Sequence, residues 1–151
     1  PIDIVNDSGV GTFRPDQPAF VELLLSDWNL GAFLPASCEN CLSDDGHLSN
    51  YHIWQMDEDK NVRRSMLSYS RDTVFGNVFL KIGLDAFEEA LYPQMQKLEN
   101  AHPDRSHYWI PSGEGHTFVQ ARTVQTAGGI SVMAWIAAML DGSGDWVSVQ
   151  D

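Results

Sequence analysis

Cations are scarce in this chain: nine Lys and Arg face 21 Asp and Glu across 151 residues, a formal net charge of −12. Phosphate backbones are held by clustered Lys and Arg that displace counterions, so nucleic acid is excluded as an expected partner. Long apolar runs are missing too. No stretch approaches the roughly 18 apolar residues that a bilayer-spanning helix requires, and no membrane span is expected. Internal repeats and low-complexity tracts are absent. An initiating Met is also absent: the chain opens on Pro1 and runs straight into Ile2, Ile4 and Val5, which read as a buried strand with no lead-in. More chain is expected upstream, and no signal peptide reports the compartment.

What is present is an ordinary globular composition, 43% hydrophobic and 20% charged, sufficient for one domain with a core. The opening strand gives way to a polar turn at Asn6, Asp7, Ser8 and Gly9. From Asp16 to Asn29 a helix is expected, with Asp16 as a candidate N-cap and Phe20, Leu23, Leu24 and Trp28 at helical spacing. Residues 30–61 lose periodicity and read as a lid-like insertion. Its aromatics, Phe33, Tyr51 and Trp54, together with Trp28, read chiefly as packing of that lid on the sheet, with a cleft lining as the alternative.

Val62 to Tyr69 reads as a strand, Val74 to Leu80 as a second apolar stretch, and His107 to Pro111 as another strand. Leu84, Phe87, Leu91, Met95 and Leu98 mark one face of a helix, with a kink expected at Pro93. Ile130 to Leu140 is a nearly all-apolar helix closed by Gly142 and is expected to pack on a sheet. Strands alternating with helices in this way predict an α/β fold, with about three parallel strands and flanking helices.

Two residues then attract attention together. Asp72 falls just past a strand, and His116 follows the next one, presented by the Gly113-Glu114-Gly115 turn. The C-terminal ends of neighbouring parallel strands converge, so Asp72 is placed to accept an imidazole N–H of His116, leaving the other ring nitrogen as a general base. Acid then base is the order of an α/β-hydrolase triad. Taken singly, Asp72 also fits a capping or turn aspartate.

Three stretches carry a resemblance: Val5-Asn6-Asp7-Ser8-Gly9, Ser68-Tyr69-Ser70-Arg71-Asp72 with Thr73-Val74-Phe75, and Gly113-Glu114-Gly115-His116-Thr117-Phe118. With Met133-Ala134-Trp135-Ile136 and Leu140-Asp141-Gly142, they resemble the C-terminal half of the pectin acetylesterase-like family of serine esterases, which includes Wnt-delipidating carboxylesterases. The resemblance implies that residues 1–151 are a partial α/β-hydrolase domain with the 30–61 insertion inside it. It further implies that Asp72 is the triad acid and His116 the base of a secreted or periplasmic carboxylic ester hydrolase. His116 would take the serine proton and return it to the leaving alcohol, while Asp72 fixes its tautomer.

The implied substrate is an acylated small molecule or polysaccharide, and no cofactor is implied, since water completes the deacylation. The family's Gly-x-Ser-x-Gly elbow is missing from this sequence. The nucleophile and oxyanion donors are therefore expected on the missing N-terminal half, as a partner of this part, and the isolated chain is expected to be inactive.

Two further constellations compete. Ser8 follows a strand, but Asn6 stands where an elbow needs glycine, so Asp7 and Ser8 are expected to bond within their own turn or line the site. Ser8 with Asp104 and His107 also resembles an SGNH-type esterase, although Asp104 and His107 precede a strand instead of closing the chain. Cys38, Cys41, His47 and His52 form a possible zinc set, the basis of a non-catalytic interaction module as a second reading. A local disulfide, or pairing with cysteines of the missing half, is favoured over zinc in an extracellular esterase, and no metal is expected.

Overall fold

A computed structural model describes residues 1–12, 14, 18–41, 47–118 and 126–151. In chain order the elements are β1 (Ile2–Asp7), α1 (Pro18–Asp27), a 3-10 turn (Leu30–Phe33), α2 (Ser49–Glu58), β2 (Val62–Leu67), a π-helical turn (Val74–Phe79) and α3 (Leu84–Ala101). There follow β3 (Ser106–Ile110), β4 (Thr126–Ala127), β5 (Ile130–Ser131), α4 (Val132–Asp141) and β6 (Val149–Gln150). Strands β1, β2, β3 and β6 form one parallel sheet in that order, and β4 and β5 make a separate short hairpin. The chain is an α/β fold, with four parallel strands where about three were expected.

Period-two alternation of the strand side chains supplies both faces of the sheet. On β2, Met66 joins one core and Leu67 the other; on β3, Tyr108 and Ile110 face the first and Trp109 the second. Phe87, Leu91, Met95 and Leu98 of α3 close the first core, and Val132, Trp135 and Met139 of α4 close the second. All five residues of β3 are buried, as the central region of a doubly covered sheet requires.

Several expectations shift in detail. Helix α3 is one span from Leu84 to Ala101 with Pro93, where a kink was expected, inside it. Helix α4 begins at Val132, where the Ser131 hydroxyl accepts the Ala134 N–H at 3.2 Å, and ends on Gly142 in the left-handed region. Only one stripe of α4 packs; Met133 and Leu140 are exposed despite the all-apolar sequence. Helix α1 lies within the expected span, and its candidate cap Asp16 is outside the described residues. The 30–61 segment is less irregular than expected, because α2 occupies its second half. That helix packs on α3, with Ser49 Oγ donating to Gln94 Oε1 at 2.7 Å in the interior.

Candidate active site

The C-terminal ends of β1, β2 and β3 meet on one side of the sheet, where parallel strands release their loops toward a common crevice. Past β2 the chain keeps step with its neighbour: Ser70 N–H donates to Pro111 O and Arg71 N–H to Gly113 O, each at 3.1 Å. That pairing carries Asp72 and the His116 loop side by side. The imidazole Nδ1 of His116 stands 2.8 Å from Asp72 Oδ2. An ionised carboxylate can only accept, so this contact selects the tautomer in which a neutral imidazole carries its proton on Nδ1 and its lone pair on Nε2.

The two partners differ in exposure. Asp72 is fully buried, whereas about a third of the His116 side chain, 34%, is open. The second carboxylate oxygen of Asp72 accepts the Phe75 N–H at 3.0 Å, and its backbone carbonyl receives the Gly76 N–H at 2.8 Å. Asp72 therefore both starts the π-helical turn and orients the histidine. One carboxylate thus makes both the capping bond to Phe75 and the contact with His116. Phe75, first supplied by that turn, sets its ring 5.7 Å from the His116 ring.

The loop bearing His116 has no regular structure and is held by contacts from residues that follow β2 and from the end of β1. Thr73 Oγ1 donates to Glu114 O at 2.7 Å. Gly115 passes so close over Tyr69 that a Cβ there would stand 2.6 Å from the ring's Cζ. Tyr69 in turn stacks on Phe118 with ring centroids 4.4 Å apart. Burial, followed by the charge of Asp7, pushes the Tyr69 phenol above its ordinary pKa, so it stays neutral. From β1, both carboxylate oxygens of Asp7 accept the Phe118 N–H at 3.1 Å, and the Ser8 hydroxyl donates to the His116 carbonyl. Thr73, Tyr69 and Phe75 were not singled out as functional residues in the sequence, although the repeated glycine before His116 signals the close approach.

Ser8 is brought to the histidine's backbone, not to its ring. Among the described residues no serine hydroxyl hydrogen-bonds to the His116 imidazole. Ser8 and His107 are far apart in the sheet: Ser8 leaves the C-terminal end of β1, while His107 is the second residue of β3 and pairs in register with Ser65. His107 Nδ1 instead donates to Glu99 Oε1 at 3.0 Å, which also accepts the Ser148 hydroxyl at 2.5 Å. The structure thus does not assemble Ser8, Asp104 and His107.

Cys38 and Cys41 are joined in a disulfide, which commits both sulfurs to each other and leaves no thiolate for a zinc shell. His47 and His52 are both buried, and burial, then the Arg64 charge, holds His52 down at about 3. Among the described residues no group of three or more His, Cys, Asp and Glu is arranged to hold a metal ion.

An apolar cavity of about 230 Å³ adjoins the site, lined by Gly9, Gly11, Trp28, Leu30, Leu48, Phe75 and Phe79. Phe75 is shared between this cavity and the ring face of His116. Of the four aromatics expected to pack or line a cleft, Trp28 lies here and is 67% exposed, Phe33 is 74% exposed, and Tyr51 stacks on Trp54. No protein-family model, no curated protein and no solved structure matches this chain. Among the described residues no helix is long and apolar enough to cross a membrane.

Proposed function

We propose that this chain is the part of an α/β-hydrolase serine esterase that supplies the base and the acid of its catalytic triad. One observation carries the reading: a fully buried carboxylate oriented on a partly open imidazole at the crevice end of a parallel sheet. His116 is the general base through Nε2, and Asp72 fixes its tautomer and supports the imidazolium that forms. The nucleophilic serine and its oxyanion donors come from residues outside these 151, because the sequence has no Gly-x-Ser-x-Gly elbow and the Ser8 hydroxyl is bound to a backbone carbonyl. The reaction is deacylation of a carboxylic ester on a small molecule or polysaccharide. The serine attacks the carbonyl, His116 passes its proton to the departing alcohol, and water then releases the acid by the reverse relay.

The Cys38–Cys41 disulfide supports an oxidising compartment, hence a secreted or periplasmic enzyme. The motif resemblance to pectin acetylesterase-like enzymes supports the same assignment, and the apolar cavity beside Phe75 is a suitable receptacle for the acyl group.

The test is turnover of p-nitrophenyl esters, with fluorophosphonate labelling, by a protein that carries these residues joined to the segment before them. His116→Ala is expected to lower turnover by about 10⁴-fold or more. Equal turnover with and without the His116 imidazole would sink the assignment.

A further inference from the structure

We propose that Asp7 and Ser8 are positioning residues whose task is to hold the His116 loop in the place where its imidazole meets Asp72. The proposal rests on the triad reading and extends it to β1, which carries no group of the relay.

The distribution of tethers along the loop is the first argument. From the β2 side, the hydrogen bonds to the loop's backbone, Arg71 N–H to Gly113 O and Thr73 Oγ1 to Glu114 O, reach residues before the histidine, while Asp72 and Tyr69 meet only the side chains of His116 and Phe118. At His116 itself and just beyond it, the backbone is secured from β1: the Ser8 hydroxyl donates to the His116 carbonyl, and the Asp7 carboxylate accepts from Phe118 N–H through both oxygens at 3.1 Å. His116 is thereby fixed at two points, its carbonyl by Ser8 and its Nδ1 by Asp72. Two fixed points on one residue leave its side-chain torsions little freedom, and Nε2 keeps a set direction.

The second argument comes from the backbone of Ser8. Its φ is 67°, in the left-handed region where glycine is at ease and other residues are strained. Serine nevertheless stands there, 2% exposed, with its N–H on Leu67 O at 2.9 Å and its hydroxyl proton shared between His116 O and Asp7 Oδ1, the latter at 3.1 Å. Strain kept at a buried polar residue points to use of the side chain, and among the described residues the one bond that the hydroxyl makes beyond its own turn is to His116 O. Asp7 and Ser8 thus belong together: the turn that strains Ser8 also aims both side chains at one loop.

Ser8→Gly separates the roles, because it relieves the backbone and removes only the hydroxyl. The measurement is the downfield Nδ1 proton of His116 in ¹⁵N-histidine-labelled chain, assigned by its loss in Asp72→Asn. His107, hydrogen-bonded to Glu99 at the far end of the sheet, serves as the internal reference in the same spectrum. Ser8→Gly is expected to abolish the His116 signal by fast exchange while the His107 signal and the tryptophan fluorescence stay as in the unsubstituted chain. If Ser8→Gly fails to fold, Asp7→Asn, nearly isosteric but a weaker neutral acceptor for Phe118 N–H, is read in the same way. An undiminished His116 signal in a folded variant overturns the positioning role and leaves the dyad standing. Absence of that signal from the unsubstituted chain, with the His107 signal present, overturns the dyad itself and the positioning role with it.

Discussion

His116 Nδ1 lies 2.8 Å from Asp72 Oδ2, and the same aspartate anchors Phe75 N–H through its other oxygen. One carboxylate therefore couples the histidine to the start of the helical turn, and its substitutions separate into two kinds. Asp72→Asn retains an oxygen to accept from Phe75 but can turn an amide N–H toward Nδ1, which forces the proton onto Nε2, where it blocks the base. In the protein that includes the nucleophile, kcat is expected to fall about 10⁴-fold with thermal unfolding little changed. Asp72→Ala also removes the cap and is expected to cost about 1 kcal/mol more in stability. Ester turnover and urea unfolding, measured on both variants, check the pair.

Gly115 is required for space. A Cβ there would meet Tyr69 Cζ at 2.6 Å and Cδ2 at 2.9 Å, and the ring cannot retreat because Phe118 is stacked on it. Gly115→Ala is expected to destabilise the chain by about 1–3 kcal/mol through overpacking and to displace His116 with its loop. In a double-mutant cycle Tyr69→Leu should recover part of that loss, since a smaller side chain admits the methyl group. Additive losses in denaturant unfolding would show that the clash is not with Tyr69.

His52 makes stability depend on pH. Burial, and after it the Arg64 charge, holds its folded-state pKa at about 3, against 6.5 for the exposed imidazole. Between those values only the unfolded chain takes up the proton, so this contribution is complete above about pH 6.5 and is lost as the pH falls toward 3. The slope it adds is about 1.4 kcal/mol per pH unit within that window. Carboxylates titrate over part of the same range, so the comparison is with His52→Gln. The variant should lose less stability than the parent between pH 7.5 and pH 4.5, measured by urea unfolding at both. Parallel curves would show that His52 is protonated in the folded chain as well.

Asp72 and His116 could be read before the fold was known because each follows an apolar strand, and strand ends in a parallel sheet share one crevice. Helices α3 and α4 were legible for a similar reason, with buried residues such as Phe87, Leu91 and Met95 recurring at helical spacing. Helix α2 was not. Its buried residues are Ser49, His52 and Met56, two of them polar, so no apolar stripe announces it, and its attachment to α3 runs through the Ser49–Gln94 hydrogen bond. Strand β6 is two residues long and offers no alternation to detect. The task of Asp7 and Ser8 was hidden because their partners, Phe118 and His116, are more than 100 residues away, and short polar side chains in a turn ordinarily bond locally.

The cavity beside Phe75 makes a graded prediction about the acyl group. Its lining is almost wholly apolar, from Trp28, Leu30, Leu48, Phe75 and Phe79, and its volume of about 230 Å³ exceeds what an acetyl group fills. Each methylene buried there should contribute about 0.8 kcal/mol, or about fourfold in kcat/KM when the contact is kept in the transition state. In the protein with its nucleophile, p-nitrophenyl esters should therefore improve by up to about fourfold per methylene from acetate upward until the cavity is full. Leu30→Trp, which occupies the cavity from its wall, should flatten that series while leaving acetate turnover near the parent value, because His116 and Asp72 are untouched. If the series is flat in the parent, or if Leu30→Trp lowers every ester equally, the acyl group does not enter this cavity and the lining residues serve packing alone.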